Sequence, residues 1–419
     1  MASIEEQYEM DDKAELTTFY GLPREVKFCK KCVMSNQKPN SKIEFKHGTE
    51  TPTETMALDE EGICSACRFC ERKDNEFDWQ KREQMLRDLC DKHRRNDGRY
   101  DCIVPGSGGK DSVFASWILK HKYGMHPLTV TWAPTMYTEV GWRNFNHWIE
   151  AGFDNVLIHP NGRAHKILTR LAVKNLLHPF QPFILGQKNI GWRTAKRYDV
   201  KLVFYGEMTA EYGNNPKRSE VPTRRLDYNF GEDLLNLKLG GMRVQDIIDE
   251  YGFSLADLMP YLPDDPEYVK GSDIEIHQLG YYVKWDPQES YYFAVEKTGF
   301  EANDRRTEGS FSKYSSLDDK ADVFHYWTSI VKFGQGRCTY DASQEVRNKK
   351  IAREEAVALV KKYDAEYPQR YLKDFLEYID MAEAEFLVHA DNFRSPHLWK
   401  RVNGEWKLRH PVWEESNGK

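Results

Sequence analysis

The chain has 419 residues and a formal net charge of -6, enough length for two or three structural units around apolar cores. The mildly acidic balance excludes the pervasive basic face of a dedicated nucleic-acid binder. No stretch reaches the roughly 18 apolar residues of a membrane span, and the opening MASIEEQYEMDD is acidic where a signal peptide is basic and then apolar, so a cytoplasmic protein that binds neither membrane nor nucleic acid is expected.

Residues 1–26 are acidic and lack sustained periodicity, and read as a loose lead-in. Residues 27–75 hold five of the eight cysteines: Cys29, Cys32, Cys64, Cys67 and Cys70. In a long chain without an export signal, such clustering predicts metal ligation and not disulfides. FCKKC and GICSAC form a CxxC…CxxC pair with 31 residues between Cys32 and Cys64. Each turn offers two thiolates, and Cys29, Cys32, Cys64 and Cys67 together complete the closed tetrahedral shell of a structural Zn2+, with Gly62 easing the second turn. Cys70 extends that turn to CxxCxxC, which leaves a fifth ligand or an iron–sulfur arrangement as alternatives. Cys90, Cys102 and Cys338 read as small buried residues.

A charged helical stretch, WQKREQMLRDLCDKHRRNDG, leads into a domain expected over 98–345. There DCIVP, PLTVTW, NVLIHP and VKLVFYG alternate with segments of helical period, the pattern of βαβ units on a parallel sheet. Further on, LLNLKLGGMRVQDIIDEYGFSLADLMPYL predicts helix, IEIHQLGYYVKW a strand, and PQESYYFAVEKTGF a helix opened by Pro287. The region 346–419 reads as mainly helical, with Ala356, Leu359, Val360 and Tyr363 making one buried face.

The chemistry is concentrated after the first strand, in S-G-G-K-D-S at 107–112. Two glycines let the backbone turn tightly against an anion, and a helix beginning near Asp111 aims its free N–H groups at the same spot. Val113, Phe114, Trp117 and Ile118 give that helix an inward face, and Gly124 is placed to stop it. The loop is neither a Walker A motif nor G-x-G-x-x-G.

Ser107, Gly108, Gly109, Asp111 and Ser112 resemble the S-G-G-x-D-S motif of the ATP pyrophosphatase (PP-loop) superfamily. The resemblance implies cleavage of ATP between its α- and β-phosphates. Ser107, Gly108, Gly109 and Ser112 would donate to the departing pyrophosphate, Lys110 would add charge, and Asp111 would help hold Mg2+.

YYVKWDPQESYYFAVEKTGF, RTEGSFSKYSSLDDKADVFHYW and VKFGQGRCTYDASQEVRNKKIAREEAVALVKKYDAEYP resemble the N-acetyl sugar amidotransferase family, and the resemblance extends from about Cys29 to beyond residue 390. It implies an α/β fold: a parallel-sheet PP-loop domain with an N-terminal four-cysteine zinc ribbon and a mainly helical C-terminal part. It also implies conversion of a sugar N-acetyl group to acetamidino, in the biosynthesis of surface polysaccharide (LPS O-antigen) or flagellar sugars. The substrate would be an N-acetylated sugar, nucleotide-linked or a nonulosonic acid. An amide oxygen is a poor leaving group, so ATP would convert it to an adenylate that ammonia displaces. Position 2 is Ala2 and no cysteine lies in a G-x-C-x-G elbow, so the chain reads as a synthetase subunit awaiting ammonia, and the resemblance implies a separate glutaminase subunit that supplies it.

Glu207 lies just past the strand KLVFYG, where α/β proteins place ligand groups, and joins the nucleotide-binding candidates; Asn214 and Asn215 follow in its loop. Lys313, Tyr314, Ser315 and Ser316 form a polar run. Lys332 and Arg337 flank the glycines of KFGQGR, suit an anionic group, and join Lys110 and Asp111 as candidate catalytic residues; the plainer alternative pairs them with Asp318, Asp319 or Asp341. Arg347 and Arg353 read as water-facing, and His159, His165 and His178 show no metal-ligand spacing. The rival readings are a PP-loop sulfur transferase acting on tRNA, which wants a basic surface, and a scaffold that binds nucleotide without turning it over.

Overall fold

The apolar run CIVP forms β1 (Cys102–Pro105), buried along its whole length. In a computed structural model, the described residues are 2–41, 52–224, 233–265, 267, 269 and 271–414; positions 42–51 of the expected cysteine segment and 415–419 of the C-terminal region lie outside them. Ahead of β1 come α1 (Ser65–Asn75) and α2 (Trp79–His93). After it follow α3 (Lys110–His121), β2 (Pro127–Trp132), α4 (Glu139–Glu150), β3 (Asn155–Ile158), α5 (Gly162–Leu176), α6 (Gln181–Arg197) and β4 (Leu202–Tyr205). A fifth strand, β5 (Glu275–Gln278), completes a parallel sheet in the order β3-β2-β1-β4-β5.

Alternation along the strands sorts the two faces. Ile103, Val203 and Ile276 pack with Leu168 and Ala195 of the α5–α6 layer, whereas Cys102, Val104, Leu202 and Phe204 pack with Leu86, Cys90, Ala115 and Leu119 of α2 and α3. The strand order reverses between β1 and β4. Open α/β sheets bind ligands beyond the carboxyl ends of their strands at such a point.

The remaining elements are α7 (Pro287–Thr298), α8 (Asp322–Phe333), α9 (Arg337–Arg347), α10 (Arg353–Tyr363) and an antiparallel hairpin of β6 (Trp399–Val402) and β7 (Glu405–Leu408). Pro287 opens α7 as expected, behind the N-cap Asp286. The boundary expected at 345/346 falls inside α9, and Phe324, Trp327, Phe375 and Phe386 share one apolar cluster with the sheet.

Three sequence expectations change. The stretch from 234 to 262 is not one helix, because Gly240 and Gly241, both at positive φ, turn a short hairpin before the helix Val244–Tyr251. IEIHQLGYYVKW is a strand only over β5 and then coils into a helical turn, Leu279–Tyr282. The lead-in is docked: Tyr8 and Tyr20 are buried and donate their hydroxyls to the carbonyls of Arg394 (2.7 Å) and Phe393 (3.0 Å). Among the described residues no helix is long and apolar enough to cross a membrane.

Candidate active site at the head of the sheet

β1 runs straight into the loop Gly106–Gly109, and Gly109 is the N-cap of α3, so the helix's free N–H groups face the end of the sheet. Gly108 sits at φ +85°, and a Cβ there would stand 2.7 Å from the Phe145 Cα of α4. Any other residue would be strained and would collide. A Cβ at Gly109 would meet only Ser107 Oγ, at 3.7 Å, so that position opens onto free space. At the head of β4, Gly206 lets the strand approach the Asp111 carbonyl, where a Cβ would stand at 2.5 Å.

This loop floors a crevice of about 640 Å³. Ser107 to Asp111 and Glu207 form the floor, α6 supplies Lys188, the cysteine segment supplies Lys38 to Ser41, and the stretch from Phe311 to Glu345 supplies the opposite wall. Of the six loop residues, Ser112 alone does not line it. Its hydroxyl donates to the Gly109 carbonyl (2.9 Å) and supports the loop from behind.

Asp111 is held at both oxygens. Lys110 Nζ reaches Oδ2 at 2.6 Å, and the Trp285 indole N–H donates to Oδ1 at 2.8 Å. Glu207 is pushed above the ordinary carboxylate range by burial and by the nearby Asp111 charge, partly offset by Arg224 and Lys110. Two carboxylates beside one phosphate cradle form an oxygen donor set suited to a hard divalent cation.

The other candidates fall differently. Lys332 lines the crevice, but its ammonium is buried and donates to the Leu176 carbonyl (2.9 Å), and burial pushes its pKa down to about 7. Arg337 also lines it and pairs with Asp341 at 3.0 Å, one of the pairings weighed from sequence. Lys188 and Arg224, which the sequence reading passed over, also line the crevice, and neither has a carboxylate partner among the described residues. Arg224 lies over the Tyr205 ring, 4.4 Å from its centroid, while burial and the Arg224 charge push Lys188 down to about 8. Asn214 is committed to the backbone N–H of Ser41 (2.9 Å), and Asn215 caps the short helix after it. Tyr314 stacks on Tyr291 at 4.5 Å and hydrogen-bonds Glu345 at 3.2 Å.

The cysteines form a second centre. Sγ atoms of Cys29, Cys32, Cys64 and Cys67 lie within 4.8 Å of one another, with Cys29–Cys67 and Cys32–Cys64 both at 3.8 Å. A tetrahedron with metal–sulfur bonds of about 2.3 Å has edges of about 3.8 Å, so the sulfurs fit around one ion. Backbone N–H groups of Lys31 and Cys64 point at Cys29 Sγ, and that of Cys67 at Cys64 Sγ. Gly62, at φ +81°, takes the Lys30 N–H on its carbonyl. Cys70 stands apart, buried with Phe69, Met208, Ala210 and Trp285.

Arg347 and Arg353 correct the water-facing expectation. Arg347 is buried, with Nη1 3.9 Å from Cys32 Sγ and Nη2 donating to the Glu211 carbonyl (2.9 Å); Arg353 Nε points at the Cys32 carbonyl (3.2 Å). Their place near a helix start gave no hint of this, because the cysteine segment that receives both arginines lies some 300 residues earlier.

Strand order and an S-G-G-K-D-S loop at the reversal point define an open parallel α/β fold with a phosphate-cradle loop at its switch point, a four-cysteine centre and a mainly helical C-terminal region. Within it, residues 308–411 match the family described as LPS biosynthesis protein WbpG-like, C-terminal domain, which includes much of the crevice's far wall. No curated protein matches the chain. Among solved structures, the chain is similar to the NH3-dependent NAD synthetase of Campylobacter jejuni (13% identity, TM-score 0.25), over 31% of this chain and 57% of that one, little more than half its length. It is similar to the U34-tRNA thiolase NcsA of Methanococcus maripaludis, which carries a [4Fe-4S] cluster (11% identity, TM-score 0.32, 84% of this chain and 89% of that one). A third is the NMN synthetase of Francisella tularensis (14% identity, TM-score 0.25, 47% of this chain and 94% of that one).

Proposed function

We propose that the chain is an ATP-dependent, AMP-forming amidotransferase that converts the N-acetyl group of a sugar to an acetamidino group in surface polysaccharide biosynthesis. The observation that carries this reading is a shared crevice: its floor is the phosphate loop 107–111 and its far wall lies in the segment matching an LPS biosynthesis domain.

In this reading the loop's N–H groups and the head of α3 bind the β- and γ-phosphates, while Lys110 and Lys188 offset their charge. Asp111 and Glu207 would hold Mg2+, which screens the phosphate oxygens and eases departure of pyrophosphate. The substrate's amide oxygen attacks the α-phosphorus and the bond to the β-phosphate oxygen breaks. Ammonia then adds to the activated carbon, AMP leaves with the former amide oxygen, and a proton is released to give the amidine. A glutaminase subunit delivering ammonia directly would spare it from dilution and protonation in water.

The cysteine centre is proposed to hold Zn2+, because four thiolates fitted to one ion leave no open position for reaction and no room for a cluster's extra atoms. One zinc per chain without iron is expected by elemental analysis, and Cys29→Ser should lower zinc content and solubility together. Iron with sulfide would favour the tRNA thiolation reading instead.

The deciding experiment is incubation with ATP, Mg2+, ammonium and candidate N-acetyl sugars, followed by mass spectrometry. Replacing O by NH lowers the sugar's mass by about one dalton, with AMP in equal amount. Asp111→Ala should abolish AMP release while the chain stays folded. ADP as the sole nucleotide product would refute the reading.

A further inference from the structure

The two centres are joined by an unbroken chain of buried polar contacts. Helix α1 carries Cys67 and is capped by Cys64; two turns on, it presents Lys73. Lys73 Nζ pairs with Glu211 Oε1 at 2.8 Å, with side chains only 3% and 0% exposed. The same ammonium donates to the Trp285 carbonyl at 3.1 Å, and the Trp285 indole N–H donates to Asp111 Oδ1 at 2.8 Å. The ring is clamped among Phe69 and Cys70 of α1, Met208 and Ala210, and meets Tyr212 edge-on at 5.8 Å. Arg347 closes the circuit between Cys32 and Glu211.

A buried ion pair is a poor source of stability, since apolar side chains of similar volume serve as well. What this pair does supply is direction. It fixes the backbone at Trp285, and the indole in turn fixes which way one oxygen of Asp111 faces. We propose that Trp285, braced by Lys73 and Glu211 on the cysteine-capped helix, is a positioning residue that aims the Asp111 carboxylate at the divalent cation accompanying ATP.

This inference rests on the nucleotide reading above. The test uses the full chain with α,β-methylene-ATP as probe, its affinity measured by calorimetry with and without Mn2+, and bound Mn2+ read by electron paramagnetic resonance. Trp285→Phe keeps an aromatic ring and removes the donor. Metal-dependent affinity should fall about tenfold, while metal-free affinity and cysteine-bound metal stay near those of the parent and the smaller ring lowers the melting temperature without unfolding the chain. The double variant Lys73→Met/Glu211→Gln, which removes the pair without leaving a lone charge, should move Mn2+ binding the same way. Unchanged Mn2+ affinity in Trp285→Phe, or an equal loss with and without metal, would overturn the inference alone. A parent chain whose nucleotide affinity ignores Mn2+ would overturn the nucleotide reading and this inference with it.

Discussion

The Arg347 guanidinium lies 3.9 Å from Cys32 Sγ, a buried positive charge set at the rim of four thiols. Burial works against its charge, and the neighbouring cysteine sulfurs, Cys32 first, hold the guanidinium protonated. Arg347→Met should therefore weaken metal binding about tenfold or more and destabilise the fold by about 3 kcal/mol. Chelator competition and denaturant unfolding measure the two effects. An unaltered metal affinity would show that the arginine serves packing alone.

Adjacent glycines should separate fold from function. Gly108→Ala places a methyl against the Phe145 backbone at φ +85° and should cost about 1–3 kcal/mol. Gly109→Ala meets nothing closer than Ser107 Oγ at 3.7 Å, so stability should hold while nucleotide affinity falls as the methyl enters the phosphate space. Thermal melts with calorimetric titration of α,β-methylene-ATP distinguish the pair. Equal destabilisation would contradict the geometry.

Lys188 and Arg337 should differ for the same kind of reason. Lys188 has no carboxylate partner among the described residues, whereas Arg337 and Asp341 neutralise each other at 3.0 Å. Lys188→Met should leave the melting temperature unchanged or higher and lower affinity for α,β-methylene-ATP about tenfold. Arg337→Met strands a half-buried carboxylate and should cost about 3 kcal/mol.

Acid should unfold the protein partly through histidines. Burial pushes His165 and His397 down to about 4 and His325 to about 3, against about 6.5 in an unfolded chain. Between those values the unfolded chain binds protons that the folded one refuses, so this stability is present above about pH 6.5 and is lost as pH falls toward 4. By pH 5 each histidine contributes a loss of about 2 kcal/mol. His165→Gln should shrink the drop in urea-unfolding stability between pH 7.5 and 5 by about that amount. An identical pH profile would show that His165 is charged in the fold.

What could be read from sequence was what is local in it. The loop 107–112 and the paired CxxC turns place all their chemistry within a few residues, and the strand ahead of the loop is a short apolar run buried along its whole length. Trp285, Lys188 and Arg224 were missed because each acquires its place through the fold. Trp285 lies 174 positions from the carboxylate it holds. One signal was available: Trp285 closes YYVKW, the end of a run expected to be a strand, as Glu207 follows KLVFYG, so the logic of strand ends could have been applied to both. Ser112 shows the opposite failing, since the motif assigns it to the ligand while its hydroxyl is turned to the Gly109 carbonyl.

The clasp between Tyr8 and the Arg394 carbonyl spans 386 positions of chain. During synthesis the early segment leaves the ribosome long before its docking surface exists, so Tyr8, Leu16 and Tyr20 must travel unsheltered until the closing hairpin is made. Folding of this chain thus closes back on its early segment, and that interval is when a chaperone has most to offer.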